Sequence, residues 1–315
     1  MTSRSRLILI GLIVVAIGAL AATNSRYLLP LVFQMAMPTD YFEPERNKPD
    51  EFVTITTDVY AFRHGFNRSL IVDTGDRFAV FDTFNQSHAE RLMAILKRDF
   101  PGKPVGWVFY SHHHLDHIRG AAALSPEQVI AHEDVMSYVN DFDYASDILP
   151  VTATISGDTE MVLGSKTVRL LYLPRSHSET LVAFHLPQEK VLFLPDLMFK
   201  NAVPPFGFPD WYYPGYIRAL DRLLTLDGEY YVPTHFGIGS REDLQSYRDF
   251  MVDFREAVVD GLAKHDHDAA HGGRLRRVLR EVYPVLAAKH GHRTGFDVMF
   301  IPHFGGQAGG TYLGY

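Results

Sequence analysis

The chain contains no cysteine among its 315 residues. That excludes disulfide bridges and metal sites built on thiolates. It also lacks an excess of positive charge, with 30 Lys and Arg against 37 Asp and Glu and a net charge of −7. That disfavours nucleic-acid binding through a broad basic face, and no nucleic-acid partner is expected. No clear internal repeat divides the sequence. Apolar residues make up 46%, an ordinary share for a globular protein, and the length allows one large domain or two small ones.

A long run without charge stands near the N-terminus, residues 7–22, just after Arg4 and Arg6. As a helix it would span about 24 Å, a little short of a hydrocarbon core of about 30 Å. One reading is a secretory signal peptide cleaved near Ala21, with small residues at Ala19 and Ala21. The other is an uncleaved signal anchor, favoured by the further apolar stretch 27–37, which could lie against the membrane. Both keep the arginines cytoplasmic and put the body on the exported side, periplasmic or extracellular. Residues 38–51, with Pro38, Pro44 and Pro49, read as a linker after this 1–37 segment.

Beyond the linker, residues 52–62 alternate as a strand does, and 69–73 with 78–82 form a hairpin around Thr74, Gly75 and Asp76. Residues 87–98 predict a helix with Ser87 as N-cap and Glu90 closing a capping box. Strands are expected over 161–163, 167–173, 180–185 and 191–194. A helix over 216–226 carries its apolar residues at Ile217, Leu220, Leu223 and Leu224. Helices are expected over 240–264 and 275–288, with a kink or break at Pro284. Residues 304–315 are too rich in glycine to predict a helix.

The densest chemistry lies at Ser111-His112-His113-His114-Leu115-Asp116-His117, directly after the apolar run 105–110. Five side chains there can bind a transition metal. Imidazole with carboxylate suits zinc, iron or manganese better than calcium or magnesium. In an extended or tightly turned segment His112 and His114 share a face, and Asp116 and His117 can turn toward a second ion. His113 would face the other way, in a structural role. Three more potential ligands each end an apparent strand: His177 after 167–173, Asp196 after 191–195 and His235 after 230–233. Strand ends hold ligands better than loop tips do.

With these residues the chain resembles the metallo-β-lactamase-fold superfamily. The likeness runs through the His112-x-His114-x-Asp116-His117 signature, then His177, Asp196 and His235 in the family's order, and reaches back to Asp82 in residues 79–83. It covers roughly residues 52–240. The resemblance implies an α/β fold, a four-layer αββα sandwich of two mixed sheets with outer helices, forming a catalytic domain over 52–240. Residues 241–315 would be a helical extension packed on it. It implies two divalent cations, with zinc first and iron or manganese as alternatives. His112, His114 and His177 would hold one ion; Asp116, His117 and His235 the other; Asp196 would bridge them. Asp116 is also the expected catalytic residue, orienting the nucleophile or passing a proton to the leaving group. Asp82 would hold the metal loop through a ligand's second ring nitrogen. The implied activity is hydrolysis of a small molecule's acyl bond (lactone, β-lactam, ester or thioester) by a hydroxide shared between the metals. An iron oxidoreductase of the same fold and a phosphodiesterase are the alternatives.

The chain departs from the family at two turns. Arg175-Ser176-His177 stands where members often carry Pro-Gly-His, and Thr234-His235-Phe236 where they carry Gly-His-Gly. The missing cysteine speaks against lactamase subclasses that use a cysteine ligand. The aromatic, proline-rich stretch 204–214 is a candidate substrate wall, with Phe208, Trp211 and Tyr212 as the pocket residues. The cluster His265, Asp266, His267, Asp268 and His271 reads as a solvated loop. His290, His292 and His303 receive no role.

Overall fold

The computed structural model describes residues 39–140, 147–204, 210–265 and 271–313. Two compact units divide at Pro44, residues 1–44 and 45–315. The run 7–22 and the stretch 27–37 lie outside the described residues. Among the described residues, no helix is long and apolar enough to cross a membrane. Part of the expected linker is helical instead, α1 (Thr39–Arg46), and Glu51 already belongs to the first strand. Thr39 and Asp40 open that helix, residue types that favour a helix start.

The first sheet has seven strands in chain order: β1 (Glu51–Thr56), β2 (Val59–His64), β3 (Asn67–Asp73), β4 (Phe78–Phe81), β5 (Val105–Phe109), β6 (Gln128–His132) and β7 (Ala153–Ile155). Pairs up to β3–β4 are antiparallel, and those from β4–β5 onward are parallel. The second sheet runs β12-β11-β10-β9-β8, from β8 (Thr159–Leu163), β9 (Lys166–Tyr172), β10 (Val182–Leu186), β11 (Val191–Leu194) and β12 (Tyr230–Pro233). Only β11–β12 is parallel there.

The sheets face each other across one apolar core. Leu70, Phe81 and Phe109 of the first sheet pack with Leu170, Phe184 and Phe193 of the second. Phe81 stacks on Phe109 at 4.7 Å and meets Phe184 edge-on at 4.7 Å. Strands buried on both faces need no polar alternation, which is why β4, β10 and β11 are buried throughout. The outer face of the first sheet carries α2 (Gln86–Asp99), whose Ala89, Leu92 and Leu96 pack with Ile71, Val80 and Val108. This is the expected arrangement of two mixed sheets with helices outside them.

The short helices α3 (Leu115–Ile118) and α4 (Val135–Val139) follow β5 and β6, and α5 (Tyr213–Leu224) precedes β12. Three helices close the chain: α6 (Arg241–Lys264), α7 (His271–His290) and α8 (Phe296–Leu313). Ser240 caps α6 in a box with Asp243. Pro284 lies inside a continuous α7 and does not end it.

The single strand expected over 52–62 is the β1–β2 pair, and two further expectations fail for physical reasons. The N-cap of α2 is Asn85, whose side chain accepts the His88 N–H at 3.0 Å, so Ser87 is already helical. Residues 304–313 are helical despite Gly305, Gly306, Gly309 and Gly310. Glycine costs a helix about 1 kcal/mol per residue, and tertiary burial offsets it. Phe296, Phe300 and Phe304 line one face at helical spacing, with His303 and Gln307 buried beside them.

Candidate metal centre

Every strand that carries a site residue stops just before it. β4 ends at Phe81 and Asp82 follows; β5 ends at Phe109 before the histidine-rich turn; β9, β11 and β12 end before His177, Asp196 and His235. These ends meet at one rim of the sandwich. Arg68 ties the two sheets there, its N–H donating to the Thr234 carbonyl at 2.8 Å and its guanidinium to the Phe236 carbonyl.

Asp196 sits at the centre and is buried. Its Oδ2 is 3.1 Å from His177 Nε2, 3.2 Å from His117 Nε2 and 3.9 Å from His112 Nε2. Its Oδ1 is 3.0 Å from His235 Nε2 and accepts the Thr234 hydroxyl at 2.8 Å. His114 Nδ1 is 3.1 Å from His177 Nε2. Among the described residues three groups of potential ligand atoms emerge: His112, His114, His177 and Asp196; Asp116, His117 and His235; and, sharing His114, His113, His114 and Asp210. Asp196 Oδ2 lies near His177, His117 and His112, and Oδ1 near His235.

The donors fit divalent cations. Around a tetrahedral zinc at 2.0–2.1 Å, ligand atoms lie about 3.3 Å apart, and the separations above bracket that value. Among the described residues the buried Nε2 atom of His112 has no hydrogen-bond partner, and that of His117 has only the Asp196 carboxylate at 3.2 Å beside it. Buried nitrogens left this way are costly unless something takes their lone pairs.

Four of the five imidazoles have the opposite ring nitrogen held. His117 Nδ1 meets Asp82 Oδ2 at 2.9 Å, and His112 Nδ1 meets the Ser111 hydroxyl at 2.8 Å. Asp82 also accepts the Ser111 backbone N–H and hydroxyl, each at 2.8 Å. His235 Nδ1 lies 3.1 Å from the Phe66 carbonyl, which fixes Nε2 as the acceptor nitrogen. His114 Nε2 is 3.0 Å from Asp210 Oδ2. Sequence reasoning found Asp82 but missed Asp210, Ser111 and Thr180. Ser111 stands beside the first histidine, which was a usable signal; Asp210 and Thr180 arrive from distant segments.

Charge follows the same plan. Burial opposes ionisation of Asp196, yet the surrounding His117, His235 and His177 hold its carboxyl well below the usual range. Burial, with the crowding of other imidazoles, drives His112 far below the ordinary histidine value. Burial also opposes a charge on His117, but Asp196 and Asp82 outweigh it and raise that group.

The backbone around the site is strained. Asp82 (φ 57°), Arg175 (φ 50°), Asp196 (φ 51°) and Phe236 (φ 63°) all adopt left-handed conformations. Arg175 and Phe236 lie in the two turns that depart from the family's motifs, and both are left-handed without being glycine. Gly215 of α5 packs so tightly on the first of these turns that a Cβ would collide with the Arg175 carbonyl oxygen.

A cavity of about 350 Å³ opens on the Asp116 and His235 side. Phe66 and Phe199 supply its aromatic wall, Asn67 and Asn85 its amides, and Arg46 a cation. Phe66 stacks on His235 at 4.2 Å. Asp116 is exposed and reaches into this space, its Oδ2 4.0 Å from His117 Nε2. The expected pocket residues are elsewhere. Trp211 is buried against Tyr213 and Tyr216, with its ring 5.9 Å from His177. Tyr212 lies beneath the guanidinium groups of Arg175 and Arg218. Neither lines the cavity, because their aromatic faces are taken up by packing on α5 and the His177 turn. Phe208 lies outside the described residues.

The remaining histidines divide in the same way. His113 faces away, its ring stacked on Tyr138 at 4.0 Å and its backbone N–H on the Thr180 hydroxyl. His265 caps the end of α6 and bonds Glu281, His290 bonds Asp253, and His303 is buried. Residues 266–270 of the suspected cluster lie outside the described residues.

A buried nest of imidazoles around one aspartate, set where two facing sheets end, defines a metal-binding α/β protein. Residues 63–235, more than half of the chain, match the Metallo-beta-lactamase superfamily, and the chain belongs to that superfamily. It is 31% identical to the alpha subunit of 2,4-dinitroanisole O-demethylase from Nocardioides sp., over 68% of this chain and 64% of that one. It is 26% identical to hydroxyacylglutathione hydrolase from Brucella ovis, over 48% of this chain and 54% of that one. The match thus spans less than two thirds of either relative. Among solved structures, the metallo-beta-lactamase FIM-1 from Pseudomonas aeruginosa, in a mono-zinc form, aligns with TM-score 0.56 and 18% identity, over 66% of this chain and 96% of that one. That likeness concerns the fold.

Proposed function

We propose that this protein is a dinuclear metal-dependent hydrolase, with zinc as the first-choice metal, that cleaves an acyl bond of a small molecule. The observation that carries this reading is the convergence of four imidazoles on the two oxygens of Asp196, with His114 beside His177, next to an open cavity. His112, His114 and His177 would hold one ion, and Asp116, His117 and His235 the other. When bound, a pair of divalent ions supplies Lewis acidity and a water acidified to near neutral pH. The rest falls to the chain's own groups. Asp196 keeps the two halves in register. Asp116, exposed to the cavity, takes or returns a proton at its carboxylate. Asn67 and Asn85 offer amides to a substrate's polar atoms, and Phe66 covers His235 from water.

A second reading concerns the bond. The 31% identical relative is named for O-demethylation of an aryl ether, and the cavity is walled by Phe66 and Phe199. Both favour a flat aromatic substrate, for which ether cleavage would replace acyl cleavage. The N-terminal run 7–22 supports a body held at the membrane on the exported side.

The test is metal quantitation, with zinc, iron and manganese each measured, followed by turnover assays on lactones, β-lactams, thioesters, phosphodiesters and aryl methyl ethers. Hydrolysis of an acyl substrate by the two-zinc form supports the first reading. Turnover of aryl ethers alone selects the second, and an iron-loaded enzyme inert toward every hydrolytic substrate removes both.

A further inference from the structure

Four of the five clustered imidazoles present Nε2 to the centre; His114 presents Nδ1. Its Nε2 points outward to Asp210 Oδ2 at 3.0 Å. Asp210 is half-buried. The same oxygen lies 3.7 Å from His113 Nε2. His113 is pinned from behind: the Thr180 hydroxyl accepts its backbone N–H at 3.0 Å and lies 3.0 Å from its Nδ1. The next two residues hold the neighbouring turn. Trp211 lies against the His177 ring at 5.9 Å, and the Tyr212 N–H donates to the Ser176 carbonyl at 2.9 Å.

Three consecutive residues therefore act on the His114–His177 side of the site, and none of them acts on the His117–His235 side. We propose that Asp210 is a positioning residue: it accepts a hydrogen bond from the Nε2–H of His114, leaves Nδ1 as the ligand atom, and, with Trp211 and Tyr212, clasps the first metal position. The inference rests on reading His112, His114 and His177 as ligands. A carboxylate on the outer nitrogen of a ligand histidine fixes ring orientation and raises basicity, and its loss typically weakens metal binding 10–100-fold. The clasp predicts that this loss falls on one ion of the pair. It also explains the order of the residues, since a carboxylate followed by an aromatic and a backbone donor spans the His114 ring and the His177 turn without a gap.

The experiment uses the full-length chain, stripped of metal and titrated with Zn2+ against a chromophoric chelator, and with Co2+ followed by its visible absorption. Wild type, Asp210→Ala, Asp210→Asn and the surface control Asp147→Asn are compared. The expected result is two ions in wild type. In Asp210→Ala one ion should bind on the order of 10–100-fold more weakly while the second is unchanged. Asp210→Asn, which keeps an acceptor without the charge, should be intermediate and covers the case in which the alanine variant does not fold. The cobalt spectrum should change only in the component belonging to the weakened ion. Equal affinities for both ions in all variants would overturn the clasp while leaving the metal site intact. Equal weakening of both ions would overturn it too, as would a third ion in wild type lost with Asp210, which would make His113, His114 and Asp210 a separate site. Wild type that binds no metal would instead sink the reading of the ligands themselves.

Discussion

Asp82 Oδ2 lies 2.9 Å from Nδ1 of His117, and both side chains are fully buried. The same carboxylate accepts two hydrogen bonds from Ser111, whose hydroxyl touches His112. One acid thus orients a ligand candidate on each side of the site. Asp82→Ala would leave three buried donors unpaired, at about 1–3 kcal/mol each. Thermal unfolding should shift down sharply, and metal affinity should fall on the order of 10–100-fold. Asp82→Asn tolerates the left-handed backbone at this position and should keep the fold while losing much of the metal. An alanine variant with native stability and native metal content would remove Asp82 from this role.

Asp116 differs from the other acids because it is exposed to the cavity while its neighbour His117 is buried. Asp116→Ala should lower kcat by about 10²–10⁴-fold, the range for a lost general acid or base. It should also weaken the ion held with His117 and His235. Steady-state rates paired with metal content check both effects. Near-normal turnover with two ions bound would contradict the assignment.

Lys190 offers a test of backbone strain away from the site. It holds φ at 55° in the turn between β10 and β11, and its ion pair with Asp227 at 3.6 Å is exposed. A left-handed lysine costs about 1–2 kcal/mol, and glycine returns part of that as chain entropy. Lys190→Gly should stabilise the protein by about 0.5–1 kcal/mol in denaturant unfolding. A loss of stability would mean the side chain matters more than the backbone.

His303 sets an acid limit. Burial alone pushes its imidazole down to about 3, against about 6.5 in an unfolded chain. Below pH 6.5 the unfolded state takes a proton that the folded state refuses, so stability falls as pH drops from about 6.5 toward 3. The slope from this group is at most about 1.4 kcal/mol per pH unit. His303→Phe keeps the aromatic contacts with Phe254 and Trp211 and should flatten the fall in Tm between pH 6 and 4. An unchanged slope would place the acid sensitivity elsewhere.

Much of this was legible in the sequence. The strand ends before His112, His177, Asp196 and His235 could be read because buried strands announce themselves as apolar runs and the ligands follow at once. Asp82 was legible through its place in residues 79–83. Asp210 was not: its neighbours Phe208 and Trp211 suggested a substrate wall, and only the folded chain brings its carboxylate to His114. Asn85 was overlooked as a cap because Ser87 with Glu90 satisfied the same local rule two residues later. The last helix was missed because its glycines were weighed and the Phe296, Phe300, Phe304 spacing was not. Local rules fail here where long-range packing decides.

The most direct measurement is the metal content of the purified chain and of its His177→Ala and His235→Ala variants, taken alongside turnover. Two ions per chain are predicted in wild type, with each variant losing one of them preferentially and both losing activity. Wild type that carries no stoichiometric metal, or variants that keep both ions and full turnover, would contradict the account.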